Sequence, residues 1–478
     1  MNHLFYQKMK ATIPFITFSL VFVLLACKKG NFHPVDDTTE ESNTLPAPPE
    51  NWQENWFEHE QLLKRVYYND RIAVYYDDDV DTVQTKWLYP FIDTVWSYTR
   101  SVYGDFGQSD TTNRLFAIFH TGKYGGGHPF LYYDANRLYR NGIDIGAGED
   151  AWLHQTNWET NTIIHEIAHV VEMAGKGVKD SPAHGSIWGD SKWAEIFVYD
   201  VYKNTNMTTK MNDAYNDFYN TTDDFPRTNT AWFKNWFLPI YEQFNEAAVL
   251  NAYFEDLASA FPKRPYPVIG QEYTRGLNFG EFIHFWSAAA GVNLSTRARL
   301  AFGPNDRNNN NWLTQFSAAQ SAFSSLEYED DDPYFGQDLS DQMSIAVSVE
   351  NSGGANGTEG SQKLVDFDIQ TKFFTNGFTS TFWIQQESSG AVVANSYLIS
   401  SANDAPNRDP KTWQLQASND GNQWTLLDTR QNETFESRNE FRVYDFDNSV
   451  AYKYYRLQIT ETLNSPDMQL AEWRLMKK

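Results

Sequence analysis

Five consecutive residues, His165-Glu166-Ile167-Ala168-His169, combine two imidazoles with a carboxylate at the spacing that metal-assisted hydrolysis requires. On a helix, residues four apart lie on one face about one turn apart, so His165 and His169 can offer nitrogen to one zinc ion. Glu166 stands beside them as the group that takes a proton from water and hands it to the leaving group. The chain supports a helix here. Thr156 and Glu159 form a capping-box pair, and Ile164, Ile167, Ala168 and Val171 recur at helical spacing as far as Gly175.

A catalytic zinc takes a third protein ligand and keeps one position open, and His184, Asp190 and Glu195 are the nearest downstream candidates. The segment Ser191 to Tyr202, SKWAEIFVYDVY, reads as a second helix with Asp190 or Ser191 as its N-cap and Glu195 one turn in. Glu195 is therefore taken as the ligand and Asp190 as a cap. His184, in SPAHGSIWGD, is open between ligand, transition-state donor and solvated side chain. Tyr199 and His284 are further oxyanion-donor candidates, against the plainer reading of aromatic core positions. A metzincin pattern would need glycine at 172 and histidine at 175, where the chain has Glu172 and Gly175. The arrangement resembles the gluzincin clan, in which HExxH on one helix is completed by a glutamate on the next. Within it, Thr162 to Tyr202 and LNFGEFIHFWSAAAG from Leu277 look similar to the plant basic secretory protein type of peptidase, over a region of about a third of the chain. That resemblance implies a zinc-dependent metallopeptidase with zinc on His165, His169 and Glu195. Asp200 follows Glu195 by five residues where the thermolysin-like form has four. In this clan a strand before the HExxH helix pairs with extended substrate, and Leu115 to His120 or Gly142 to Gly148 would serve. GKYGGGHPF from Gly122 reads as a rim loop or an ordinary hairpin turn.

The elements that position this motif sit in a long, aromatic and acidic chain. Its 478 residues exceed one ordinary core, and 16 Trp, 27 Tyr and 34 Phe supply ample apolar area for folding. With 38 basic against 62 acidic residues the net charge is −24, and no basic patch offsets it, which excludes nucleic acid as the expected partner. Lys8 and Lys10 precede an uncharged apolar run from Ala11 to Ala26, the plan of a secretory signal and short for a membrane span. The run ends in Leu24-Leu25-Ala26-Cys27, which resembles the lipobox of bacterial lipoproteins. Cys27, the sole cysteine, has no disulfide partner within the chain and would carry the lipid that tethers it to a membrane. Lys28 by the same resemblance implies the outer membrane, with the leaflet, and so a cell-surface location, open.

Residues 1–26 are thus expected as a signal peptide, 27–50 as a proline-punctuated tether, 51–326 as an α+β zincin-like domain and 327–342 as an acidic linker. From 343 to 478, short alternating runs such as Trp413 to Ala417, Trp424 to Asp428, Phe441 to Phe446 and Tyr454 to Ile459 read as an all-β sandwich. KLVDFDIQTKF from Lys363, WQLQASNDGNQWTLLDTR from Trp413, YKYYRLQIT from Tyr452 and QLAEWRL from Gln469 resemble the discoidin, or coagulation factor 5/8 type C, superfamily of jelly rolls. The resemblance implies a calcium ion on Asp366, Asp368, Thr371 and Glu472, with a solvated acidic turn as the alternative, and Phe367 stands where glycine is usual. It also implies carbohydrate binding, with Arg408, Arg438 and Asn439 as candidates, against a protein-contact or structural role. The expected whole is a lipid-anchored zinc metallopeptidase acting on protein or glycoprotein, with a carbohydrate-binding targeting module. The alternative is a non-catalytic glycan-binding or adhesion lipoprotein whose metal site is inactive or structural.

Overall fold

The computed structural model describes residues 44–107, 113–267 and 270–478. Cys27, the apolar run before it and the tether up to residue 43 lie outside the described residues. Two bodies follow, an α+β domain and a β-sandwich.

The first is built on a six-stranded sheet of β1 (Asn51–Gln53), β2 (Leu62–Tyr68), β3 (Ile72–Tyr76), β4 (Leu115–Thr121), β5 (Gly126–Phe130) and β6 (Asn141–Ala147), in the order β1-β2-β3-β4-β6-β5. Strands β3, β4 and β6 run parallel, while β5 returns antiparallel as the edge. The parallel strands are buried on both faces, which is why Ile72 to Tyr76 reads as an unbroken apolar run instead of an alternation. One face meets α1 (Leu88–Tyr103) and α2 (Asn157–Ala174) through Val74, Ala117, Phe119 and Ile145; the other is closed by Trp52, Trp56, Leu63 and Phe130.

Beyond α2 the domain is helical, with α3 (Lys192–Asn204), α4 (Thr208–Tyr219), α5 (Leu238–Gln243), α6 (Ala247–Ala260), α7 (Phe279–Ala290), α8 (Ser295–Phe302) and α9 (Trp312–Ala322). A small sheet joins β7 (Val178–Lys179), β8 (Lys263–Pro265) and β9 (Gln271–Tyr273). Trp188, Trp193, Trp236, Phe282 and Trp286 interlock among these helices, so the aromatic excess is spent mainly on core.

The sandwich contains β10 (Gln337–Asp338), β11 (Met343–Val347), β12 (Phe373–Thr375), β13 (Phe382–Val392), β14 (Ser396–Ser400), β15 (Pro410–Ser418), β16 (Thr425–Arg430), β17 (Phe441–Asp445), β18 (Tyr452–Thr462), β19 (Met468–Leu470) and β20 (Glu472–Lys477). A four-stranded sheet, β10-β20-β14-β17, faces a five-stranded one, β11-β13-β18-β15-β16. Trp413, Leu415, Leu457 and Leu475 fill the space between.

The segment expected as an acidic linker is docked. Asp332 pairs with Arg297 of α8 at 2.9 Å with both side chains 1% exposed, Phe335 is buried, and Asp338 and Asp341 each reach Arg474 at 2.6 Å. Its acidity answers buried guanidinium groups, a demand that the charge run alone does not announce.

Candidate active site and metal centre

Helix α2 starts as its sequence dictates. Thr156 Oγ1 accepts from the Glu159 backbone N–H at 3.3 Å, and Glu159 Oε2 accepts from the Thr156 N–H at 2.9 Å. Two turns on, the rings of His165 and His169 stand 4.8 Å apart and nearly perpendicular, with their Nε2 atoms 3.1 Å apart.

The carboxylate that joins them is Asp190, not Glu195. Asp190 Oδ1 lies 3.3 Å from His169 Nε2 and Oδ2 lies 3.9 Å from His165 Nε2. Helix α3 begins at Lys192 after Ser191, whose side chain makes no capping bond, so Asp190 is free of the capping role and turns toward the imidazoles. Glu195 lines the same cleft as His165 and Glu166, but its carboxylate is held by Lys192 Nζ at 3.3 Å, one turn back on α3. Burial pushes Glu195 up to about 7, partly offset by Lys192. The 3.1 and 3.3 Å separations are close to the ligand–ligand edges, about 3.3 Å, of a tetrahedron with zinc bonds of about 2.0–2.2 Å, and a small turn of Asp190 closes the 3.9 Å one, so these residues can gather on a zinc ion.

Glu172, which sequence reasoning used only to reject another motif, supports this triangle from behind. It is buried, and its Oε2 lies 3.1 Å from His169 Nδ1 and 3.4 Å from His184 Nδ1, while Oε1 accepts from Trp188 Nε1 at 2.6 Å and Ser181 Oγ at 2.9 Å. Burial opposes its charge, yet the two histidines hold it at about 2. A carboxylate on the outer nitrogen fixes the tautomer that leaves Nε2 free to ligate. His184 opens a single π turn, His184–Trp188, and belongs to this supporting group with His169 and Glu172. Its signal was available: Glu172 sits three residues after His169, on the same helix face.

Glu166 is buried, Oε2 has no hydrogen-bond partner among the described residues, and burial lifts its carboxyl to about 7 while His169 pulls it down. It opens on a cleft of about 360 Å³ lined by Trp158, Thr162, His165, Glu195 and Phe218. The neighbouring strand is β5. A Cβ on Gly127 would stand 2.4 Å from Glu166 Oε1, so glycine lets the edge strand pass directly over the carboxylate. This corrects the expectation that β4 or β6 offers the substrate edge: both are interior strands, and the glycine-rich stretch expected as a rim loop or hairpin turn supplies the edge strand.

Tyr199 packs against Tyr215, Phe233 and Tyr241 in the helical core, and His284 Nδ1 meets Tyr328 Oη at 2.9 Å inside α7's packing; neither lines the cleft. In the sandwich, Thr371 Oγ1 donates to Asp366 Oδ2 at 2.9 Å and Glu472 Oε1 accepts from the Asp368 N–H at 3.0 Å, so the four expected calcium residues do meet. Their charges already have partners. Asp368 pairs with Arg227 of the first domain, Asp366 with Lys363 at 3.2 Å, and Arg474 donates to the Val365 carbonyl at 2.9 Å. Phe367 lies between the Arg299 and Arg474 guanidinium groups, at 3.4 and 3.2 Å from its ring centre. Cationic side chains thus border the acidic loop to which the resemblance assigned calcium, while burial and the neighbouring Asp366 push the Glu472 carboxyl well above its ordinary range.

Arg438 binds Asp409 through both terminal nitrogens at 2.9 and 2.5 Å, and with Asn439 it lines a cleft of about 460 Å³ between the domains, beside Arg227 and Lys234. Arg408 lies apart, over the Phe374 ring at 4.7 Å.

No family model matches the chain. A peptide-N(4)-(N-acetyl-beta-glucosaminyl)asparagine amidase of Arabidopsis thaliana is 49% identical over 49 residues, which make up 10% of this chain and 7% of that protein. The family 32 carbohydrate-binding module of a Clostridium perfringens protein, solved with galactose, is 16% identical over 28% of this chain and 94% of its own, at a TM-score of 0.24. An F5/8 type C domain from Bacteroides fragilis is 14% identical over 31% of this chain and 99% of its own, at a TM-score of 0.27. The expectation of a zinc-dependent metallopeptidase is overturned by the first of these, a hydrolase named for glycosylated asparagine.

Proposed function

We propose that the chain is an exported hydrolase of glycan-bearing substrates, with its reacting centre at Glu166 and a carbohydrate-binding β-sandwich. The observation that carries the reading is a buried carboxyl whose Oε2 lacks a hydrogen-bond partner among the described residues, set beside an imidazole pair and a second carboxylate at the mouth of a cleft. Likeness to an amidase of glycosylated asparagine supports the substrate class.

In this reading His165, His169 and Asp190 hold a zinc ion. When bound, zinc supplies Lewis acidity and lowers the pKa of water. Glu166, lifted to about 7, accepts a proton from the attacking water near neutrality and returns it to the leaving atom. The free edge of β5 offers backbone N–H and C=O groups that align an extended aglycone across the cleft. Trp158, half exposed on the cleft wall, gives a sugar ring an apolar face. The sandwich raises the local concentration of glycan.

Lipidation at Cys27 and residence at the outer membrane belong to the same proposal; metabolic labelling with a palmitate analogue should mark the wild-type chain and not Cys27→Ser. The activity is tested with a panel of glycopeptides and oligosaccharides followed by mass spectrometry. Turnover that requires the glycan and is lost in Glu166→Gln supports the reading; glycan binding without turnover would leave an adhesion protein in its place.

A further inference from the structure

We propose that Glu54, His59, His120 and Asp144 form a second, buried site for a tetrahedral divalent cation of the zinc type. All four side chains are at most 5% exposed. One ligand atom from each lies within 4.8 Å of the other three, and the short approaches are near tetrahedral edge lengths: His120 Nε2 lies 3.0 Å from Glu54 Oε1 and 3.1 Å from Asp144 Oδ1, and His59 Nδ1 lies 3.2 Å from Asp144 Oδ2 and 3.7 Å from Glu54 Oε1. Bonds of about 2.0–2.2 Å to one zinc ion place neighbouring ligand atoms about 3.3 Å apart.

Two further observations point to an ion. Asp144 Oδ1 is buried and, among the described residues, accepts no hydrogen bond despite facing His120 Nε2 at 3.1 Å, although Oδ2 accepts from Trp56 Nε1 at 2.7 Å. His120 Nδ1 meets Asp77 Oδ2 at 2.7 Å, the outer carboxylate that metal-bound histidines use to fix their tautomer. The charge balance agrees. Glu54, Asp77 and Asp144 gather three buried carboxylates, and the ammonium of Lys123 approaches only Asp77 among them, at 3.4 Å.

The site would staple the segment between β1 and β2, which supplies Glu54 and His59, to the end of β4, which supplies His120, and the middle of β6, which supplies Asp144. His59 stacks on Tyr124 at 3.6 Å, and Tyr124 leads into β5, so the ion would brace the edge strand that crosses Glu166. Its ligands share no residue with the HEIAH site, and the proposal stands independently of the proposed activity.

The experiment counts zinc and cobalt(II) in the full chain and in two variants by elemental mass spectrometry, with the visible spectrum of the cobalt form. His165→Ala/His169→Ala, which leaves the second cluster intact, is expected to retain one ion per chain with the intense absorption of tetrahedral cobalt. His59→Gln is expected to hold one ion fewer than the wild-type chain. A folded double variant that retains no metal, or equal metal content in His59→Gln and wild type, overturns the proposal and leaves a proton on His120 holding the carboxylates together. One ion in the wild type that survives the double substitution supports this site and refutes metal at the HEIAH residues.

Discussion

Glu172→Gln removes one charge and almost no volume, which makes it a sharp probe of how the triangle is held. In the native chain the buried carboxylate only accepts: from His169 Nδ1, Trp188 Nε1 and Ser181 Oγ. A glutamine amide has one oxygen and one NH₂. If the oxygen keeps Trp188 and Ser181, the NH₂ faces His169 Nδ1 and drives the proton to Nε2, the atom that faces Asp190 and His165. If the amide turns over, its NH₂ opposes the indole N–H, and a buried donor is left without an acceptor. Outer carboxylates of this kind carry about 10–100-fold in metal affinity, or about 1.4–2.8 kcal/mol. Competitive zinc titration of purified protein is expected to show a weakening in that range for Glu172→Gln, with the circular dichroism spectrum unchanged. A folded variant with native affinity would refute the claim that Glu172 sets the tautomer of His169.

Three other outcomes follow from the same contacts. Gly127→Ala puts a methyl 2.4 Å from Glu166 Oε1, and the displacement of about 1 Å needed to relieve it should cut kcat/KM about 100-fold while zinc content stays native; full activity would show that β5 does not frame the carboxylate. Asp200 is buried, and that burial lifts it to about 6 despite bonds from Tyr241, Tyr98 and Asn204. Its contribution to stability is therefore fully present below about pH 3.8 and lost as pH rises through 6, a span of about 3 kcal/mol; denaturant melts of wild type against Asp200→Asn should differ by that pH dependence, and parallel profiles would contradict it. Arg474→Leu strands Glu472, Asp338 and Asp341 against an apolar side chain and should cost about 3–5 kcal/mol in thermal melts of the sandwich, whereas an unchanged Tm would show the network is solvated.

The α2 helix was legible because its cap, its apolar period and its two histidines are all local, and the sandwich strands were legible from alternation. What escaped was decided by tertiary contact. Asp190 and Glu195 are equally good zinc ligands by type; the choice falls to Lys192 holding one and the loop turning the other. Strand β5 reads as a rim loop or a hairpin turn in the sequence because glycine has little strand preference, and the nearness of Glu166 explains Gly127. The cluster of Glu54, His59, His120 and Asp144 spans about ninety residues of sequence and three pieces of backbone, so no spacing rule could have assembled it. The docking of the acidic stretch likewise depends on Arg297 and Arg474, which are distant in sequence from most of what they bind.

The central claim is that Glu166 hydrolyses a glycan-bearing substrate, and mass spectrometry of paired substrates tests it most directly: one glycopeptide and the same peptide without its sugar, each incubated with zinc-loaded wild type and Glu166→Gln. Cleavage of the glycosylated member alone by wild type, with a loss of about 100-fold or more in Glu166→Gln at unchanged zinc content, is the expected result. Equal cleavage of both peptides, or full activity in Glu166→Gln, would contradict it.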